Sequence, residues 1–114
     1  MSDGGNLKID YVEFSSTQLE STESFFAKAF GWGFVEYGPD YRDIREAGLG
    51  GGIARSDAPA APLIVLKADD LEKALDTVRA TGAEITKEIF DFPGGRRFEF
   101  REPGGTMMAI WSDP

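Results

Sequence analysis

Cysteine and histidine are both missing from the 114 residues. Without cysteine there is no disulfide, no thiolate nucleophile, and no zinc–thiolate or iron–sulfur centre. Without histidine the chain forgoes the commonest transition-metal ligand and the side chain that most often serves as general base near neutral pH. A serine-centred triad is excluded for the same reason. Positive charge is scarce too: 12 Lys+Arg against 20 Asp+Glu leave a formal net charge of −8. That field repels phosphate backbones at long range, so nucleic acid is not an expected partner. Apolar runs such as Leu63 to Leu66 fall far short of the ~20 residues a membrane helix needs. The opening Met1-Ser2-Asp3-Gly4-Gly5 lacks the apolar stretch of a secretory leader. The expectation is a cytoplasmic protein with no membrane partner.

What is present suits one compact soluble domain. Hydrophobic residues make up 41% and charged residues 28% of the chain, an ordinary globular balance that can bury a single core. The order of elements is repeated. Leu7 to Phe14 reads as a strand in which Tyr11 and Glu13 share one face while Val12 and Phe14 share the other. Thr17 and Glu20 have capping-box spacing, which predicts a helix from about Thr17 to Phe30, stopped by Gly31. Trp32 to Tyr37, Tyr41 to Glu46 and Leu49 to Arg55 follow as strands. Asp57-Ala58-Pro59-Ala60-Ala61-Pro62 reads as a linker. Then come a strand at Leu63 to Ala68, a helix capped by Asp69 with a Leu71, Ala74, Leu75, Val78 stripe, and Gly82 as its stop. Strands at Ala83 to Asp91, Arg96 to Glu102 and Thr106 to Ser112 complete the second copy. Thr17-Gln18-Leu19-Glu20 is answered by Asp69-Asp70-Leu71-Glu72, and Arg45-Glu46-Ala47-Gly48 by Arg101-Glu102-Pro103-Gly104. The predicted class is α+β: two βαβββ modules, residues 7–56 and 62–112, forming curved mixed sheets around a cleft.

Tyr11-Val12-Glu13-Phe14, Ser24-Phe25-Phe26 through Phe30-Gly31-Trp32, Leu66 to Leu71 with Gly82-Ala83, and Arg101 to Gly105 leading into Ala109-Ile110-Trp111 resemble, in order and spacing, the vicinal oxygen chelate superfamily. That superfamily includes glyoxalases, bleomycin-resistance proteins and extradiol dioxygenases. The resemblance implies the paired-module fold, a homodimer, and divalent-metal positions on the first and last strand of each module. Carried over, those positions are Tyr11, Ile53, Leu63 and Ala109, and Met107, Met108 and Ile110 surround the last. Aliphatic side chains offer no hard donor and a phenol is a poor ligand unless ionised, so no metal and no cofactor is expected. Glu13 could supply one carboxylate and Glu99 another, but two carboxylates without imidazole would make only a weak, open site.

Several residues stand out as site candidates. Glu13, facing an apolar cavity, would serve as general base or acid, with an ion pair to Arg97 or Lys67 as the structural alternative. Tyr11 would hydrogen-bond a ligand or stabilise an oxyanion, or else simply fill space. Trp32, Tyr41, Leu63, Phe92 and Trp111 are candidate pocket walls, and Lys67, Arg97 and Glu99 candidate polar contacts. Phe92-Pro93-Gly94-Gly95-Arg96-Arg97 reads as a hairpin turn or as a basic lip for an anion. The leading expectation is a metal-free small-molecule binding protein. The alternatives are a metal-independent lyase or isomerase using Glu13 and Tyr11, and a scaffold module without a ligand.

Overall fold

A computed structural model describes residues 6–114. The opening segment, read above as lacking a leader's apolar stretch, lies outside the described residues. The elements run β1 (Lys8–Ser16), α1 (Leu19–Phe30), β2 (Gly33–Glu36), β3 (Tyr41–Arg45), β4 (Gly50–Arg55), β5 (Leu63–Lys67), α2 (Leu71–Ala80), β6 (Glu84–Phe92), β7 (Gly95–Arg101) and β8 (Met107–Ser112). This is the expected βαβββ order, twice. The chain forms two compact units, one of Tyr11–Leu63, the other of residues 6–10 with Ile64–Pro114.

In the first unit the strands lie in the order β2-β3-β4-β1, with β1 parallel to β4 and the other pairs antiparallel. Helix α1 begins two residues later than the capping-box spacing predicts. Gln18 stands at its N-cap without a side-chain bond. The buried Ser16 at the end of β1 supplies the acceptor instead, taking the Gln18 N–H at 2.9 Å and pairing with the Thr22 hydroxyl at 2.7 Å. Ser16 thus braces the start of the helix without capping it, and with Gln18 at the N-cap Thr17 and Glu20 are not a capping box. Gly31 ends the helix as expected, at φ +76° with its N–H on the Ala27 carbonyl. Leu19, Ile44 and Ile53 form the buried core beneath α1, and Phe14, Phe26, Trp32 and Phe34 pack against it. Each of the fully buried aliphatic side chains contributes about 1.5–3 kcal/mol through burial. Arg42, also buried, crosses to α1: its Nε donates to Glu23 at 2.7 Å and its Nη1 to the Gly38 carbonyl at 3.2 Å.

The second unit repeats the plan in the order β5-β8-β7-β6, with β5 parallel to β8. Asp70, not Asp69, caps α2, its Oδ1 accepting the Lys73 N–H at 3.0 Å. Leu71, Ala74 and Leu75 from the predicted stripe are buried against Phe98, Phe100 and Ile110, with Val78 packed alongside. The pairing of β6 with β7 shifts register twice, between Ile85 and Lys87 and again before Phe90. In both units the helix covers one face of its sheet, and strand alternation sends every second residue to the other face. That other face carries Tyr11, Glu13 and Tyr41 in the first unit and Lys67, Arg97, Glu99 and Trp111 in the second.

Candidate functional site

On the face of the first unit away from α1, β1 presents Tyr11 and Glu13, β3 presents Tyr41 and Asp43, and β4 presents Gly50 and Gly52. The register sets Glu13 and Asp43 on either side of Gly52. Four polar side chains converge there. The Tyr11 and Tyr41 hydroxyls are 2.6 Å apart. The Tyr41 hydroxyl also donates to Glu13 Oε2 at 3.1 Å, and Tyr11 lies 3.4 Å from Asp43 Oδ1. Asp43 Oδ2 is engaged from outside by Arg45 Nε at 2.5 Å.

Gly52 is what lets them meet. A β-carbon there would overlap the Tyr41 and Tyr11 hydroxyl oxygens, so only glycine leaves room for two phenols over the strand. Burial pushes the Tyr11 phenol well above its ordinary value, and the Asp43 and Glu13 carboxylates add to the effect while its bond to Tyr41 opposes it. Burial does the same to Tyr41 more strongly, with Glu13 and Tyr11 adding to it. Both rings therefore stay protonated and act as neutral hydrogen-bonding groups.

In the second unit the corresponding face carries a row running straight across the sheet, because Lys67 is in register with Trp111, Trp111 with Arg97, and Arg97 with Phe90. Lys67 Nζ lies 4.8 Å from the Trp111 ring centre, and the Arg97 guanidinium 5.5 Å from that of Phe90. Trp111 is held from several sides. Its Nε1 donates to Asp10 Oδ2 at 3.0 Å, Phe92 packs beside it, and Gly95 leaves the space its ring needs. Arg97 and Glu99 pair at 2.9 Å, each more than four-fifths covered. Lys67 Nζ lies 3.5 Å from Asp113.

The sequence candidates thus separate. Tyr11, Glu13 and Tyr41 come together in the first unit. Lys67, Phe92, Arg97, Glu99 and Trp111 gather in the second, with the expected basic lip tied down as Arg97–Glu99. Leu63 is half-buried at the first position of β5. Trp32 lies apart from Tyr11, on the helix side with Phe26 at 5.0 Å and Phe30 at 5.2 Å. Ile53, carried over above as a metal position, is wholly buried in the helix-side core. The β1–β4 register gives that place to Gly52, one residue earlier, and a one-residue slip reverses the face. Asp43 and Gly52 were not singled out from sequence. The alternation Tyr41, Asp43, Arg45 and the Gly50-Gly51-Gly52 run were the available signals.

Metal ligation was tested within each unit. In the first, the positions carried over are Tyr11, a protonated phenol, and Ile53, which lies in the core, while Gly52 beside it on the open face has no side chain to offer. The two remaining positions are Leu63, at the end of the first unit, and Ala109 of the second, which is wholly buried; Glu99, in register with Ala109, is paired with Arg97. Among the described residues no group of three or more His, Cys, Asp or Glu side chains is placed to hold an ion. The donor set does not fit a divalent metal.

Comparison with known proteins gives the following. The family model described as Glyoxalase/Bleomycin resistance protein/Dioxygenase superfamily matches residues 8–110. Among curated proteins none matches. The chain is similar to the Mn(II)-bound glyoxalase from Novosphingobium aromaticivorans at 23% identity and TM-score 0.74, covering 96% of this chain but 40% of that one. It is similar to a glyoxalase/bleomycin resistance protein/dioxygenase superfamily member from Vibrio splendidus 12B01 at 16% identity and TM-score 0.72, covering 95% and 100%. It also resembles methylmalonyl-CoA epimerase from Mycobacterium tuberculosis at 15% identity and TM-score 0.72, covering 100% and 93%. At these identities the structures share the fold.

Proposed function

The chain belongs to the glyoxalase/bleomycin resistance protein/dioxygenase superfamily, and from that premise we propose that it binds a small molecule without the help of a metal ion. The observation that carries this reading is the Tyr11–Tyr41–Glu13–Asp43 cluster over Gly52. A half-buried set of hydrogen-bonding groups surrounds Tyr11, one of the positions where the resemblance would put a cation ligand, and Gly52 leaves the space for it. Aromatic walls with a few placed polar groups are the usual make-up of a ligand site. The test is a thermal-shift screen of small aromatic compounds, run with and without EDTA. Hits whose stabilisation is indifferent to chelator support the reading. Stabilisation abolished by EDTA and restored by a divalent ion overturns it.

A second reading has its own support. Tyr41 donates to Glu13 and both phenols remain protonated, which sets a proton acceptor beside neutral donors, the pairing a metal-independent lyase or isomerase would need. Glu13 would move the proton and Tyr11 would steady the developing oxyanion. Turnover that vanishes in Glu13→Gln would establish it; ligand binding without turnover in the wild type counts against it. As to the company it keeps, the protein is read as a cytoplasmic homodimer, checked by light scattering on the purified protein. No helix among the described residues is long and apolar enough to cross a membrane.

A further inference from the structure

The first unit has a hollow on its helix side, opposite the phenol cluster. Its volume is about 150 Å³, and Val12, Phe14, Trp32, Ile44, Ala47 and Leu49 enclose it over the backbone of β4. None of these side chains carries a charge, a hydroxyl or a carboxamide, so water inside would find few partners. Leu49, half-exposed, is the wall that meets solvent. The duplicated fold accounts for the space. Across the sheet Val12 is in register with Gly51, and Gly51 with Ile44. The matching row of the second unit reads Ile64, Met108 and Phe100. There Phe100 is buried in the core beneath α2 and Met108 packs against it. Where the second copy has a methionine and a phenylalanine, the first has a glycine and an isoleucine, and the volume they leave is the hollow.

We propose that this hollow is a second binding site, one that takes an uncharged aromatic ring or a short aliphatic group. The inference goes beyond the binding reading above: it uses no residue of the phenol cluster and lies on the opposite face of the same strands. A cavity of this size with apolar walls accommodates one benzene-sized group and holds water poorly. A guest there restores the close contacts that the lining otherwise lacks. The walls are also braced. Trp32 packs on Phe26 at 5.0 Å and on Phe30 at 5.2 Å, and Phe14 on Phe26 at 5.2 Å, so ring faces and edges are held ready for an aromatic guest. A charged guest would lose its hydration and gain no partner in exchange.

Toluene and benzoate, the same ring without and with a charge, separate the possibilities when titrated against the full chain by NMR. Toluene is expected to give intermolecular nuclear Overhauser contacts to the methyl groups of Val12, Ile44 and Leu49. Benzoate is expected to bind at least about ten-fold more weakly, the equivalent of about 1.4 kcal/mol for a desolvated charge. Ile44→Phe gives the first unit the residue found in the second, and should weaken toluene at least about ten-fold by occupying its place. Ala47→Leu adds bulk at another wall, should do the same, and decides the matter if Ile44→Phe does not fold. Benzoate that binds as well as toluene overturns the inference, as do filled variants that bind toluene like the wild type. Toluene contacts to the Tyr11 and Tyr41 rings in place of those methyl groups overturn it too, while supporting the reading of the phenol cluster. If toluene at saturation gives no contact at all, this inference fails and the phenol cluster is judged by its own screen. Contacts at these methyl groups that grow with protein concentration alone would put a second copy of the chain in the hollow, and that also overturns it.

Discussion

A single hydrogen atom in place of a methyl group decides the site of the first unit. Gly52→Ala would drive a β-carbon into both phenol oxygens, and the rings would have to leave their shared bond. The expected cost is about 1–3 kcal/mol in urea unfolding, the range for overpacking. Gly95→Ala has the same logic in the second unit, because the added carbon would strike the Trp111 ring and the Ser112 backbone. Its signature is a changed near-ultraviolet circular dichroism band. The phenols also make a pH prediction. Folding raises their proton affinity, through burial above all. A group whose affinity for its proton rises on folding contributes stability that is fully present below its unfolded value, about 10 for tyrosine, and that fades as pH climbs from there. Unfolding free energy should therefore fall between pH 9 and 11, and less steeply in Tyr41→Phe, as read by urea titrations at each pH.

At the scale of elements, the two helices share a plan but are started by different means. Helix α2 has a side-chain cap of its own in Asp70. Helix α1 has no side-chain cap, and Ser16 at the end of the preceding strand braces its start through the Gln18 N–H and the Thr22 hydroxyl. Both substitutions to alanine are expected to cost about 1 kcal/mol in chemical denaturation. They differ in context: Asp70 is exposed, so its loss is that of a cap, while Ser16 is buried and also bonds Thr22, so Ser16→Ala leaves Thr22 and the Gln18 N–H in need of partners. Ser16→Ala should be the costlier of the two; equal effects would mean that the Ser16 bonds add nothing beyond an ordinary cap. The sequence spacing drew attention to Thr17 and Asp69 because capping rules count along the chain. Ser16 wins because the strand end carries it into reach of the first turn, and Asp70 because the backbone turns into helix one residue later than the first acidic side chain.

At the scale of the whole molecule, the prediction concerns metal. With no imidazole or thiolate in the chain and no group of three or more acids placed to hold an ion among the described residues, exhaustive dialysis against EDTA should leave both the melting temperature and the affinity for any ligand unchanged. Elemental analysis of the purified protein should find no stoichiometric divalent ion. A sub-stoichiometric trace that moves neither quantity is consistent with this. A whole equivalent whose removal lowers the melting temperature is not. The net charge of −8 attracts cations weakly and from all sides, which differs from coordinating one, and salt distinguishes the two because screening abolishes only the former.

Element order was legible in the chain because it depends on local periodicity: alternation marks the strands, and the Leu71, Ala74, Leu75 stripe marks the second helix. Repetition of that order made the paired-module fold readable, and the missing residue types bounded the chemistry before any coordinate was known. What alternation cannot supply is phase across a glycine run. Ile53 and Gly52 are equally plausible on paper, and only the pairing of β1 with β4 shows that the isoleucine belongs to the core and the glycine to the site. Likewise Tyr11 is far along the chain from Tyr41 and Asp43, and their hydrogen-bonded cluster exists only once β3, β4 and β1 lie side by side. Composition and local pattern act within a few residues of themselves; a site built across three strands is set by register, which tertiary packing alone decides.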